Sequence, residues 1–472
     1  MIMGYGSSMT ASNKTKVALV TPPVTEKVAH HPLFPPLGLA YMAAVLEQSN
    51  IEVTIIDSPV LNFNHQNLKS ELEAFQPTIV GVGSMTPTIE SALKCAQIAK
   101  EAAPNTQVIM GGPHATFADT EILSSEKSVD LIVRGEGEET IVEIAKQAPL
   151  GEIKGISFRK NGEIIQTPTR PFIQDLDALP RPAYKYLPME KYNITGRNLL
   201  PIISSRGCPY ACPFCVASQM FGQQFRARSP KNVLDEMEWL RDEYGAEGIA
   251  FQDDTLTFSK QRAIEICDGM IERKIGLHWG CGTRTDVVTK EVLAKMAKAH
   301  CDETMFGVES GCQRMRDVLK KRLTTDQCEN AIKWTKDVGI FVTVSVILGY
   351  PGETKETLQE TLDFVRRVEP DDVWLCHATP YPGTCLREIV EKNGWKMSDR
   401  WELYNTMNPI FEDPKLPAAE IAEMRRDFYN KFYSPKYIAW QAYRGYLKGN
   451  LYSKIMTRTA ANYMLWRAKS RL

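Results

Sequence analysis

From Val17 onward, short unbroken apolar runs alternate with longer stretches that carry apolar residues at helical spacing. Residues 17–23 (VALVTPP), 53–57 (VTIID), 79–86 (IVGVGSMT), 108–116 (VIMGGPHAT) and 131–140 (LIVRGEGEET) read as buried strands running into turns. Helices are predicted between them, over 35–48 with proline at the start, and after residue 86, with Ile89, Leu93, Ala96 and Ile98 on one face. Continuous apolar strands alternating with helices predict a parallel, doubly wound, Rossmann-like sheet over 16–147. A second series begins at PIISSRG (201–207) and repeats at 248–258, 277–286, 303–311, 341–354 and 372–384. Six strand-then-helix units over 199–391 predict a partial (β/α)6 barrel, with chemistry at the carboxyl ends of its strands. Between the two series, 148–198 reads as a connector. It carries a hairpin turning at Asn161-Gly162, then Pro180, Pro182 and Pro188, which keep it extended. Past 391 the repeat stops; 392–472 reads as helical, with its first clear helix over 417–433.

The strand ends concentrate the polar and small residues. In the first series they are Thr21, Pro22 and Pro23; Ser84, Met85 and Thr86; Gly111, Gly112 and His114; and Gly135, Glu136, Gly137 and Glu138. Turns this rich in glycine let a bulky ligand approach the backbone where such sheets bind ligands. His114 either contacts that ligand or caps the following helix. In the second series the ends carry Gln252, Asp253 and Asp254, then Arg284, then Glu309 and Ser310, then Gly349 to Glu353, then Tyr381 to Thr384. Any one alone reads as a solvated loop residue or a cap; five loaded strand ends in register read as a site.

Composition bounds the rest. A chain of 472 residues holds about three domains. No apolar run approaches the roughly 20 residues of a membrane span, and the N-terminal segment lacks an apolar signal core and reads as a short disordered lead. Eleven cysteines, an odd number without a regular framework, fit a reducing cytosol rather than a disulfide scaffold. The net charge of −1 hides an asymmetry. Residues 428–472 hold nine Lys/Arg and no Asp/Glu, so the 427 residues before them carry −10. Eleven aromatic residues are interleaved with those cations. Three readings stand open for this tail: a helical cap with a solvated basic face, a membrane-surface helix and, least favoured, a nucleic-acid face.

The strongest chemical signal is RGCPYACPFC, residues 206–215. Cys208, Cys212 and Cys215 stand in a C-x3-C-x2-C array. Four thiolates fully ligate a four-iron cube, so three hold three irons and leave one open to a small molecule. A zinc site would pair this array with a second knuckle, and none follows. The array, with aromatic Phe214 before the third cysteine, resembles the signature of the radical S-adenosylmethionine (SAM) superfamily. The preceding domain, with its GGPHAT and GEGE turns, is similar to that of the cobalamin-binding (B12-binding) class within it. The proline bridge and the PYPGT turn look most like the branch containing the anaerobic magnesium-protoporphyrin ester cyclase, the hopanoid-modifying enzymes and the tetraether-lipid ring synthases.

The resemblance implies a [4Fe-4S] cluster, SAM and cobalamin as cofactors, and hydrogen removal from an unactivated carbon, followed by methyl transfer or, second, ring closure. It implies that Asp253, beside Gln252, meets the methionyl ammonium and Arg284 the carboxylate. Glu309 and Ser310 would reach the ribose or amino-acid end, and Gly349 would lie against the adenine, with Phe214 and Tyr381 nearby. The turns of the first domain would cradle the corrin. The D-x-H-x-x-G motif that gives cobalt a histidine is absent; the loop reads Asp57-Ser58-Pro59, so a chain that has lost cobalamin is the alternative. The implied partners are a large apolar substrate, lipid or tetrapyrrole, and a low-potential electron donor of flavodoxin or ferredoxin type, with membrane contact through the tail as an extension. A tRNA-modifying methylthiotransferase would need three more N-terminal cysteines, and only Cys95 precedes Cys208.

Overall fold

The computed structural model describes residues 14–24, 34–193, 197–447, 453, 454, 456 and 457. Its first sheet has seven strands: β1 Lys16–Thr21, β2 Glu52–Asp57, β3 Ile79–Gly83, β4 Gln107–Gly111, β5 Leu131–Val133, β6 Ile156–Lys160 and β7 Glu163–Gln166. Their order is β2-β1-β3-β4-β5-β6-β7, with β1 to β5 parallel. The chain steps from β1 outward to β2 and returns to β3 on the other side, so the order reverses between β1 and β3. That reversal opens a crevice at their carboxyl ends. Alternation along each strand serves two helical layers. Val17 and Leu19 belong to one apolar core, with the helix Leu37–Gln48; Ala18 and Val20 belong to the other, with the helix Ile89–Ala102.

The hairpin expected within the connector instead extends this sheet as an antiparallel edge, pairing Leu131 with Phe158. Its apolar positions explain this, since Ile156 and Phe158 are buried in the shared core. Asn161 and Gly162 both have positive φ, as a two-residue hairpin turn requires. The proline-rich stretch that follows is also more than a spacer. Ala183 N–H donates to Ala40 O at 3.0 Å, and the buried Tyr184 stacks on Trp239 at 5.9 Å. Tyr192 O–H donates to the buried carboxylate of Asp57. One contiguous apolar cluster therefore runs from the first sheet through the connector into the second.

The second sheet has six parallel strands: β8 Leu199–Ile202, β11 Gly248–Phe251, β12 His278–Thr283, β13 Cys301–Glu309, β14 Phe341–Leu348 and β15 Asp372–His377. They follow one another in order across the sheet, with β8 and β15 at its two edges. A separate two-stranded ribbon, β9 Ser205–Arg206 with β10 Arg226–Ala227, sits beyond the end of β8.

Residues 393–416, expected as helix, are mostly irregular, with a short turn of helix at Trp401–Leu403 and two isolated bridges. Gly394, Pro409, Pro414 and Pro417 interrupt any helical run there. Helices then form at Ala418–Phe432 and Pro435–Ala442. Part of the tail's aromatic content covers the exposed edge of β15. Leu375 N–H donates to Tyr429 Oη at 3.0 Å, and Tyr433 O–H donates to Asp372 Oδ1 at 2.7 Å. Tyr437 O–H donates to Asp371 O at 2.6 Å, and Arg444 pairs with the Asp371 carboxylate. Covering an edge strand removes a template for intermolecular pairing. Trp440, Tyr443, Tyr446 and Leu447 stay exposed. Apart from four positions, the tail beyond Leu447 lies outside the described residues. No helix among the described residues is long and apolar enough to cross a membrane.

Candidate functional site

The cysteine array lies on the loop between β9 and β10. Gly207 opens it at φ +86°, where an added Cβ would lie 2.2 Å from Gln224 O, so only glycine fits. Cys208 N–H donates to Gly222 O at 3.1 Å, and Cys215 N–H donates to Cys212 O at 3.1 Å, curling the loop. All three thiols are half-buried and unpaired by disulfides. Burial raises the Cys212 thiol and pushes that of Cys215 up to about 11, while the Ala217 N–H, 3.4 Å from Cys215 Sγ, pulls the other way. Lys321 and Arg284 lower Cys212, so cations stand ready beside it. Iron binding must displace these thiol protons.

Among the described residues no three His, Cys, Asp or Glu side chains converge as ligands of a single ion. Three cysteines that each hold a different iron need not converge, so three soft donors on one short loop fit a cubic cluster.

The strand-end residues of the second sheet divide into two groups. Gln252 and Asp254 are exposed at the end of β11. Asp253, between them, points the other way, and its carboxylate is filled by Ser204 N–H at 2.8 Å, Ser204 Oγ at 2.7 Å and the Ser205 hydroxyl. Arg284 is likewise engaged. It chelates Asp286 at 3.0 Å through two nitrogens, donates to Lys321 O at 2.7 Å and lies 3.5 Å over the Tyr210 ring. Glu309, at φ +66°, is buried against Lys321, Nζ to Oε1 2.8 Å. The Ser310 hydroxyl meets Thr361 at 2.8 Å and accepts from Cys312 N–H. Gly349, at φ +76°, donates its N–H to the buried Glu353, whose carboxyl burial pushes up to about 8. Tyr381 O–H donates to Tyr404 O at 3.0 Å. Phe214 packs on an apolar cluster with Tyr350 and Phe411.

A cleft of ≈ 1470 Å³ opens at the carboxyl ends of the first sheet. Thr21, Pro22, Ser84, Met85, Gly111, Gly112, Gly135, Glu136, Gly137 and Glu138 all line it, and Ile203, Arg206, Met220 and Phe221 of the second unit close its far wall. An added Cβ at Gly38 or Gly135, both on its lining, would meet no atom within 4 Å. Such bare backbone beside apolar Leu39, Met42 and Ile109 fits a broad, flat group such as a corrin. The described residues that line the cleft include no histidine.

Three of the expected ligand residues lie off it. Pro23 is buried, its carbonyl accepting from Ser91 Oγ at 2.6 Å. His114 and Thr86 pair with each other at 3.2 Å, and the imidazole stands edge-on to Trp401 at 4.9 Å. Burial lowers His114 to about 4, so it is neutral and tied into the contact between the first unit and the irregular segment.

Two cationic features escaped the sequence reading. Lys321 sits in a run, Lys320-Lys321-Arg322, that looks solvated, yet it is only 6% exposed. Arg206 borders the cysteines but carries no spacing pattern; the structure pairs it with Glu136 and Glu138.

Comparison with known proteins joins these observations. The description "Radical SAM superfamily" matches residues 202–365 and "B12 binding domain" matches residues 30–145. An uncharacterized methyltransferase of Pyrococcus horikoshii is 34% identical over 424 residues, covering 89% of this chain and 92% of that protein. The anaerobic magnesium-protoporphyrin IX monomethyl ester cyclase of Rubrivivax gelatinosus is 31% identical over 417 residues, covering 85% and 74%. The radical S-adenosylmethionine methyltransferase TsrM of Kitasatospora setae shares the fold, with a TM-score of 0.69 at 20% identity over 81% of this chain and 77% of that one. The chain belongs to the radical SAM superfamily, in the class whose members carry a B12-binding domain; it is an enzyme, and its cofactors are a [4Fe-4S] cluster, SAM and cobalamin.

Proposed function

We propose that this enzyme transfers a methyl group to an unactivated carbon of a large apolar substrate, a lipid or a tetrapyrrole. One observation carries the reading. The wall that closes the glycine-lined cleft, with Ile203, Arg206, Met220 and Phe221, comes from the segment that holds the cysteine loop. Two cofactor sites that share a wall can act on one substrate. When bound, the cluster and SAM supply one-electron cleavage and hydrogen abstraction, and cobalamin supplies the methyl group.

The residues divide accordingly. Residues 16–147 hold cobalamin through the cleft turns, and 199–391 hold the cluster and SAM. Cys208, Cys212 and Cys215 hold three irons. Gln252 and Asp254, exposed at the β11 end, and the buried Glu309–Lys321 pair are the polar groups available to the amino-acid end of SAM. Asp253 and Arg284 act behind them by fixing Ser204, Ser205 and Tyr210. Gly349 would lie beside the adenine at a φ of +76°, packed against Ile421 with its N–H held by Glu353, and the irregular segment 393–416, with Trp395 and Phe411, shields the chemistry from water. The cyclase relative keeps ring closure as the second reading, and a low-potential electron donor of flavodoxin or ferredoxin type serves both.

The test is anaerobic turnover with SAM, cobalamin and a strong reductant on membrane-lipid and porphyrin-ester extracts, read by mass spectrometry. A product heavier by one CH2 supports methyl transfer; a product lighter by two hydrogens favours ring closure and overturns it.

A further inference from the structure

The cluster loop is closed at its neck by the β9–β10 ribbon, where Arg206 and Arg226 pair in register. Both guanidiniums reach out of the second unit onto one turn of the first. Arg206 donates to Glu136 Oε1 at 3.0 Å and to Glu138 Oε1 at 2.6 Å. Arg226 donates to the same Glu136 oxygen at 2.9 Å. All four side chains are less than a tenth exposed. Glu136 Oε2 accepts from Ile173 N–H at 2.8 Å, and Arg226 donates to Phe221 O at 2.9 Å inside the cluster loop.

Buried ion pairs are a poor source of stability, because desolvation offsets most of their attraction and apolar replacements often do as well. What a bidentate network supplies is geometry. Here the turn that lines the cleft with Gly135 and Gly137 grips both strands of the neck that carries Cys208, Cys212 and Cys215.

We propose that Arg206, Arg226, Glu136 and Glu138 are positioning residues that join the cobalamin cleft and the cluster loop into one unit, so that filling either site tightens the other. The inference rests on cobalamin occupying the cleft, as proposed above. Coupling between two sites is reciprocal, so it is measurable from either side.

Equilibrium dialysis of methylcobalamin in the dark against the full chain, with and without a reconstituted cluster, reads it from one side. Binding about fivefold or more tighter with the cluster is expected. Arg226→Lys keeps the charge but loses the planar fork that serves Glu136 and Phe221. In that variant the ratio should fall to within about twofold of one, with cluster-free affinity unchanged. The parent alone gives the second reading, which stands even if the variant does not fold: methylcobalamin should slow the loss of iron to a chelator. An equal ratio in parent and variant overturns the coupling, as does iron loss that ignores methylcobalamin. Failure of methylcobalamin to bind the parent in either state overturns the placement in the cleft, and the coupling with it.

Discussion

Lys321 Nζ lies 2.8 Å from Glu309 Oε1, both side chains are buried, and the pair stands beside Cys212. Breaking a buried pair from one side leaves an uncompensated charge and costs about 3–5 kcal/mol. Lys321→Met should therefore lower the thermal midpoint sharply. Adding Glu309→Gln should recover most of that loss, since the orphaned carboxylate is then gone. If the pair also receives the amino-acid end of SAM, both proteins should bind SAM weakly after the midpoint has recovered. Calorimetry and SAM titration separate the two effects.

Gly207→Ala is expected to disable the loop rather than the fold. The new Cβ would stand 2.2 Å from a backbone oxygen at a φ that disfavours side chains. A strained backbone of this kind costs on the order of 1–3 kcal/mol. The neck must open to relieve it. Iron content after reconstitution should fall well below the parent's while circular dichroism stays close to it.

The pH response has two opposing parts. Glu353 is raised by burial from 4.5 to about 8, so the folded chain holds a proton there that the unfolded chain releases. Its contribution is fully present below pH 4.5 and is lost as pH rises through 8. His114 is lowered by burial from 6.5 to about 4, so its contribution is present above pH 6.5 and is lost as pH falls through 4. Glu353→Gln should flatten the alkaline decline in urea midpoint and leave the acid decline in place.

The tyrosine ladder on β15 predicts an edge phenotype. Tyr433→Phe removes the hydroxyl that donates to the buried Asp372, at a cost of about 1–3 kcal/mol. Ending the chain at residue 416 uncovers the whole strand. Light scattering on mild heating should then show association that the single substitution does not cause.

Much of this was legible in the chain, for physical reasons. Short unbroken apolar runs such as Val17–Val20, rich in valine and ended by prolines, read as strands buried on both faces, and the cysteine spacing speaks for itself. Direction was harder. Gln252, Asp253 and Asp254 are alike on paper, but a strand turns neighbours to opposite faces, and only the fold shows that Asp253 turns inward to Ser204. Arg284 looked free because no local pattern shows its fork turning onto Asp286, two residues on, and its other partners, Lys321 O and the Tyr210 ring, come from distant loops. Glu136 and Glu138, which line the cleft, read as ligand contacts alone, because the arginines that also engage them lie 68 to 90 residues further along. The tail's aromatics suggested a membrane face, and several of them instead satisfy an edge strand whose need no local pattern reveals.

The most direct test is the cobalt and iron content of the full chain after anaerobic reconstitution with iron, sulfide and hydroxocobalamin, read with the visible spectrum. The account predicts about four irons and one cobalt per chain, with the iron lost when Cys208, Cys212 or Cys215 is replaced by alanine. Four irons without cobalt would contradict the methyl-transfer reading, and folded protein that takes up no iron would contradict the account as a whole.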